Sequence, residues 1–278
     1  PGCQTVLANE QVLADGTCER SGDLVESREM EQWFYRITEY AQQLLDDMDT
    51  VEWPEKVKLM QQNWIGRSEG AEFGLPIADI NGKRRENVPP LDVYTTRPDT
   101  GFGMTFAVMS PEHPRVDELV TKENQSSVEA FRQEVANRSE MDRLSSEGNI
   151  EKRGVSTGAF VINPFTGLPV PLFLADYVLM TYGTGAIMAV PGEDQRDWDF
   201  AIAHGCEITR TVKPPKDFEG EAYTGDGESI NSDFLNGMKI KEAKQTAIEW
   251  LEDQNIGSHK INYRLRDWLV SRQRYWGC

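Results

Sequence analysis

Val93-Tyr-Thr-Thr-Arg-Pro-Asp-Thr-Gly-Phe-Gly-Met-Thr-Phe-Ala-Val-Met109 is the stretch that decides the fold. A β-branched and aromatic run, Val93 to Thr96, meets the turn residues Pro98 and Asp99. A second run, Phe106 to Met109, then begins. Strand, polar turn, strand is the reading that these residue types favour. Two hydroxyls, a guanidinium and a carboxylate fall where the first strand ends. Such a set suits a polar binding site. It suits an ordinary turn equally, since Pro-Asp is turn chemistry and Thr caps helices.

The same short β-like texture continues outward. It starts near Arg67 with Ala71-Glu-Phe73, returns at Leu168 to Leu174, and is predicted again at Tyr177-Val-Leu-Met180. Helical periodicity marks other stretches. Residues 28–48 place Trp33, Ile37, Tyr40, Ala41, Leu44 and Leu45 on one stripe, which predicts an amphipathic helix. A second helix is predicted from Pro54 to about Trp64, with the proline in its first turn. Residues 112–138, Asp194 to about His204, and 240–254 read as helices, and 139–152 as a polar link. Strands and helices mixed without a regular βαβ rhythm predict an α+β fold around a β-barrel-like core.

Composition sets the bounds. Of 278 residues, 38% are hydrophobic and 27% charged, ordinary for a globular chain and unlike a fibre or a disordered segment. No run approaches the 18 or so apolar residues of a spanning helix, so no membrane partner is expected. The 29 Lys and Arg stand against 46 Asp and Glu, a net charge of −17. That argues against non-specific phosphate binding, which needs a basic footprint. Four cysteines make no disulfide framework and favour a reducing, cytoplasmic compartment. The chain begins at Pro1 and ends just after a dense Arg/Trp segment, as expected of a piece of something larger.

Three further constellations invite chemistry. Gly183-Thr-Gly-Ala186 leads through Met188 and Val190 to Pro191-Gly-Glu-Asp-Gln-Arg-Asp197. Its small residues permit close backbone approach to a ligand. Asp194 and Asp197 read either as helix N-terminal acids or as a carboxylate that grips a cation. Cys3 and Cys18 are too few for a structural zinc site, and Ser21 stands where a second Cys would complete a CxxC pair. Arg264 to Trp276 interleaves arginines with aromatics, as nucleotide contacts and buried charged junctions both do. No Gly-x-Ser-x-Gly elbow or metal-protease helix accompanies the three histidines.

Taken together, Gln4 to Val12, Gln32-Trp-Phe, Asn63-Trp-Ile-Gly-Arg-Ser-Glu-Gly70, Thr95 to Thr100, Gly183 to Gly192 and Trp268 to Gly277 resemble bacterial-type leucyl-tRNA synthetase. The two ATP-binding signatures of that family and its anticodon-binding region are absent from the sequence. The resemblance is therefore to the editing insertion. It implies a zinc-module-like segment and linker helix at 1–52, an editing domain at 53–262, and a return to the catalytic core at 263–278. It implies post-transfer editing: hydrolysis of the aminoacyl ester of mischarged tRNA(Leu), carrying isoleucine, valine, methionine or norvaline. The implied partners are the tRNA(Leu) 3′ end and the rest of the parent synthetase, the chain being a monomer. No cofactor or metal is implied for editing, and ATP and Mg belong to the catalytic part that this sequence lacks.

The resemblance also assigns roles. Asp197 matches the anchor for the substrate ammonium and Thr100 the residue that excludes leucine. Thr95 and Thr96 match the rim of the reacting ester, and Arg97 a contact to the tRNA end. Tyr182, Met188, Val190 and Asp194 match further pocket positions. Glu193 departs from the pattern, because His commonly stands there, and Ser21 departs at the zinc module. A non-catalytic docking insertion is the alternative from another class.

Overall fold

The computed structural model describes residues 7, 11–13, 15–26, 31–136, 153–180 and 183–270. These divide into two compact units, Pro1–Ser68 with Asn262–Cys278, and Glu69–Ile261. Among the described residues no helix is long and apolar enough to cross a membrane.

In the first unit, residues 28–48 do not form the single helix expected. Residues 28–30 lie outside the described set. Beyond them come strand β1 (Phe34–Tyr35), a 3-10 turn (Ile37–Tyr40), a short helix α1 (Ala41–Asp46) and another 3-10 turn (Asp47–Thr50). The reason is local. Phe34 and Tyr35 pair antiparallel with Leu269 and Trp268 of strand β10 (Trp268–Leu269), which draws the start of the segment into a ladder. Thr38 then donates its amide N–H (3.2 Å) and its hydroxyl (2.8 Å) to the Asp267 carboxylate, which starts the 3-10 turn. Trp33, placed on the apolar stripe by its spacing, is 84% exposed. Helix α2 (Glu55–Ile65) follows as expected, with Pro54 at its N-cap and Gly66 closing it in the left-handed region at φ 60°. Cys18 is buried and pairs with Val12 across an isolated bridge, while Cys3 lies outside the described residues. No cluster of three metal-ligating side chains occurs among the described residues.

The second unit carries strands β2 (Arg67–Leu75) from Glu69 onward, β3 (Ile77–Ala78), β4 (Leu91–Thr95), β5 (Phe106–Met109), β6 (Gly154–Ile162), β7 (Pro169–Ala175), β8 (Ala186–Ala189) and β9 (Gly257–Tyr263) as far as Ile261. Helices α3 (Val116–Leu119), α4 (Gln125–Ala136), α5 (Gln195–His204) and α6 (Ile240–Asp253) surround them. One sheet runs β4-β2-β9 and the other β3-β6-β7-β5-β8, giving a mixed α and β unit with a curled half-barrel of strands. In the larger sheet β5 lies parallel to β7 and antiparallel to β8.

Alternation along β5 places the core. Phe106 and Val108 join the cluster formed with Phe173 and Phe200, while Ala107 and Met109 face Phe73, Leu75, Val93 and Leu251. All four are fully buried, as expected of a strand covered on both faces. Phe200 stacks on Phe106 (centroids 5.3 Å apart) and stands edge-on to Phe173 (5.3 Å), fixing α5 against the sheet. A bulge in β6 between Ser156 and Phe160 contains Gly158 at φ 75°. Thr121 and Asn124 press so close there that a Cβ would collide with both.

Strand β6 and strand β9 were not anticipated from the sequence. Residues 112–138 break into α3 and α4 around Thr121, whose hydroxyl meets the Asn124 side chain. Tyr177–Met180 is a turn rather than a strand. Tyr177 and Val178 are apolar because they fill the core around Phe200, not because they extend a sheet. The link at 139–152 lies outside the described residues.

Candidate active site

The turn after β4 is built from its own side chains. Arg97 donates its amide N–H to Thr95 Oγ1 (3.0 Å). Pro98–Gly103 then forms a 3-10 turn, entered through the fixed φ of the proline. Thr100 donates both its amide N–H (3.0 Å) and its hydroxyl (2.8 Å) to the Arg97 carbonyl. The Arg97 guanidinium closes a two-point ion pair on Asp99, with Nε at 2.9 Å and Nη2 at 2.7 Å from its two oxygens. Asp99 and Thr100 are buried, Thr95 is half-buried and Thr96 is exposed.

From behind, Asn163 clamps the turn by donating its amide to the carbonyls of Gly101 (2.9 Å) and Met104 (3.1 Å). Gly101 has the ring of Phe165 where a side chain would stand. Gly70 has no room for a Cβ either, because the Thr96 Cα would lie 2.9 Å from it. Sequence reasoning missed Asn163. Its signal was the Asn-Pro-Phe turn, in which Asn163 Oδ1 accepts the Phe165 amide N–H (2.9 Å).

Strand β5 carries the turn to the second half of the site. Thr105 donates its N–H to the Ala189 carbonyl (3.3 Å), and Ala107 sits opposite Met188. Met188 and Val190 are buried. Val190 donates its amide N–H to Asp197 Oδ2 (2.8 Å), and the Tyr177 hydroxyl donates to Asp197 Oδ1 (3.1 Å). Asp194 is the N-cap of α5, accepting the amide N–H groups of Arg196 (2.8 Å) and Asp197 (3.3 Å). It also binds the Arg196 guanidinium, Nη2 at 2.9 Å. Asp194 is the cap, and Asp197 is a buried carboxylate in the first turn.

Burial dominates the electrostatics. It pushes Asp197 up to about 7, helped by the charge of Asp194 and opposed by the Val190 N–H, Arg196 and Tyr177. Burial acts upward on Asp194 too, but the Arg196 hydrogen bond and charge outweigh it and hold Asp194 low. Tyr177 is held well above its ordinary value by burial and by the neighbouring Asp197 charge. A carboxylate that titrates near neutral pH on buried apolar strand residues can gain strongly from a cationic ligand.

Glu193 is buried in the same region. Its Oε1 accepts the amide N–H groups of Thr211 (2.6 Å) and Val212 (3.0 Å), and its charge attracts Arg97. The structure therefore joins Thr95, Arg97 and Thr100 in one turn and Val190 to Asp197, and sets the Glu193 charge to act on Arg97. Tyr182 lies outside the described residues. Next to it, Gly183 approaches β4, where a Cβ would stand 3.3 Å from the Tyr94 Cβ. Tyr177 escapes the sequence pattern because its run, Tyr177 to Met180, reads as a strand. A separate cavity of about 780 Å³ lies within the first unit, walled by Trp53, Trp64 and Trp268 among others, and none of these site residues lines it.

The family described as leucyl-tRNA synthetase, editing domain, matches residues 62–252. A leucine–tRNA ligase of Saccharopolyspora erythraea is 50% identical over 298 residues, covering 100% of this chain and 30% of that protein. One of Elusimicrobium minutum is 49% identical over 278 residues, covering 100% and 32%. The chain thus spans about a third of the length of these relatives. A crystal structure of the Agrobacterium radiobacter K84 agnB2 LeuRS–tRNA–LeuAMS ternary complex aligns with a TM-score of 0.70 at 36% identity, over 99% of this chain and 30% of that one. With the family match extending over more than half of its residues, the chain belongs to the leucyl-tRNA synthetase editing-domain family.

Proposed function

We propose that this chain hydrolyses the ester of tRNA(Leu) mischarged with isoleucine, valine, methionine or norvaline, as the editing part of a leucine–tRNA ligase. The observation that carries the reading is Asp197. It is a buried carboxylate raised to about 7 and fixed to the backbone of Val190, and a carboxylate is what an ammonium-bearing substrate needs. An aminoacyl ester presents such an ammonium two bonds from the carbonyl that water attacks. Editing is needed because a hydrophobic pocket separates similar aliphatic side chains by only about 1–3 kcal/mol.

In this reading Asp197 holds the ammonium and Met188 and Val190 line the side-chain pocket. Thr100 fills the space that the leucine side chain would take, and Thr95 and Thr96 border the ester. Arg97 meets a phosphate of the tRNA 3′ end. Tyr177 and the Val190 N–H keep Asp197 in place, and Asp194 starts the helix that presents it. Asp194 adds to the pocket wall. The attacking water needs no covalent enzyme intermediate and no metal, since orientation and charge stabilisation supply the rate. ATP and Mg serve the catalytic part of the parent, the partner to which this monomeric, cytoplasmic insertion belongs.

Deacylation of isoleucyl-tRNA(Leu) by the chain tests the reading, with Asp197→Ala as its control. The docking alternative binds tRNA and leaves the ester intact in both proteins. It draws support from the two protein donors already on Asp197, which satisfy that carboxylate without a ligand.

A further inference from the structure

Glu193 is a buried carboxylate without a part in the chemistry above. Only 6% of the residue is exposed. One oxygen is spent on the backbone of Thr211 and Val212, whereas Oε2 is buried without a hydrogen-bond partner. That oxygen points at the end of the Pro98–Gly103 turn, where a Cβ on Gly103 would lie 3.5 Å from it. Glu193 therefore wedges between the turn that carries Arg97 and Thr100 and the segment at 211–212.

The charges around Arg97 give the wedge a consequence. Asp99 pairs with the guanidinium directly, and Glu193 and Asp226 attract it from further away. Lys244 on α6 also senses both Asp99 and Arg97. Asp99, Glu193 and Asp226 thus act on Arg97 together, and of these Asp99 and Glu193 are buried and screened little by solvent. Burial disfavours its ionised form, while the two N–H groups, the Thr211 side chain and Arg97 favour it.

We propose that Glu193 is a positioning residue for Arg97, whose buried negative charge holds the guanidinium in the turn and weakens its grip on an anionic phosphate of the tRNA end. The inference rests on the proposed tRNA contact of Arg97 and is independent of ester hydrolysis. Neutralising Glu193 should tighten phosphate binding, and only through Arg97.

The test is binding of uncharged tRNA(Leu) transcript by fluorescence anisotropy at low and high salt. Glu193→Gln keeps an oxygen for the Thr211 and Val212 amides and removes the charge. It should bind about threefold or more tighter than wild type at low salt, an advantage that fades as salt rises. In the Arg97→Ala background the same substitution should gain nothing, as a double-mutant cycle reads it. Glu193→His, uncharged at pH 8, should reproduce the gain and covers the case in which the glutamine variant does not fold. Equal affinity of wild type and the neutral variants overturns the inference. So does a gain that persists without Arg97, or no binding by any of the proteins at low salt. If the gain is seen but mischarged esters survive, the proposed hydrolysis falls and the role of Glu193 stands.

Discussion

Asp197 links stability to pH in a direction opposite to most carboxylates. Its ordinary value near ~4 is raised to about 7, so the folded chain holds a proton that the unfolded chain gives up. Stability is therefore greatest on the acid side of this window and falls as pH rises from about 4 to about 7, then levels. The cost of the ionised form at neutral pH is on the order of 3–4 kcal/mol. Thermal midpoints of wild type should drop across this window, and Asp197→Asn should remove most of the drop. A parallel pH course in both proteins would refute the assignment. Thr100 makes the complementary case. It is fully buried and bonded to the Arg97 carbonyl, so Thr100→Ala opens space without leaving a charge exposed. We expect that variant to attack leucyl-tRNA(Leu) at least about tenfold faster than wild type, as deacylation assays will read.

At the scale of elements, the Pro98–Gly103 turn and helix α5 carry the site, and each hangs on a few contacts. Removing the Asn163 amide takes the side-chain donor from the Met104 carbonyl and leaves the Gly101 carbonyl with the Met104 N–H alone. Asn163→Ala should cost about 1–3 kcal/mol in denaturant unfolding and lower deacylation as the turn loosens. Phe200 anchors α5 through ring contacts with Phe106, Phe173 and Tyr177, and Phe200→Ala should cost about 3–5 kcal/mol. Both segments were legible in the sequence, because Pro-Asp and an Asp cap announce themselves locally. Strands β4, β5 and β7 were legible for the same reason, as β-branched runs between turn residues. Strand β6 was not, since Gly158 and its bulge interrupt the alternation and the pairing with β7 is set by distant residues. The helix expected over 28–48 failed because its apolar period said nothing about Trp268 and Leu269, which take Phe34 and Tyr35 into a ladder. The burial of Glu193 and Asn163 was also invisible, since each is polar and buried only through partners far along the chain.

For the molecule as a whole, a net charge of −17 opposes the approach of a polyanion. Binding of tRNA by this chain alone should be weak and should fall steeply with salt. Salt titration of anisotropy checks this, and salt-insensitive binding would contradict it. The central claim is the editing reaction itself. Its most direct test is hydrolysis of isoleucyl-tRNA(Leu) and leucyl-tRNA(Leu) by the parent ligase, wild type and Asp197→Ala, each carrying this chain. The account predicts that wild type clears only the isoleucyl ester and that Asp197→Ala clears neither. Survival of the isoleucyl ester in the wild-type reaction, or its undiminished hydrolysis by Asp197→Ala, would contradict it.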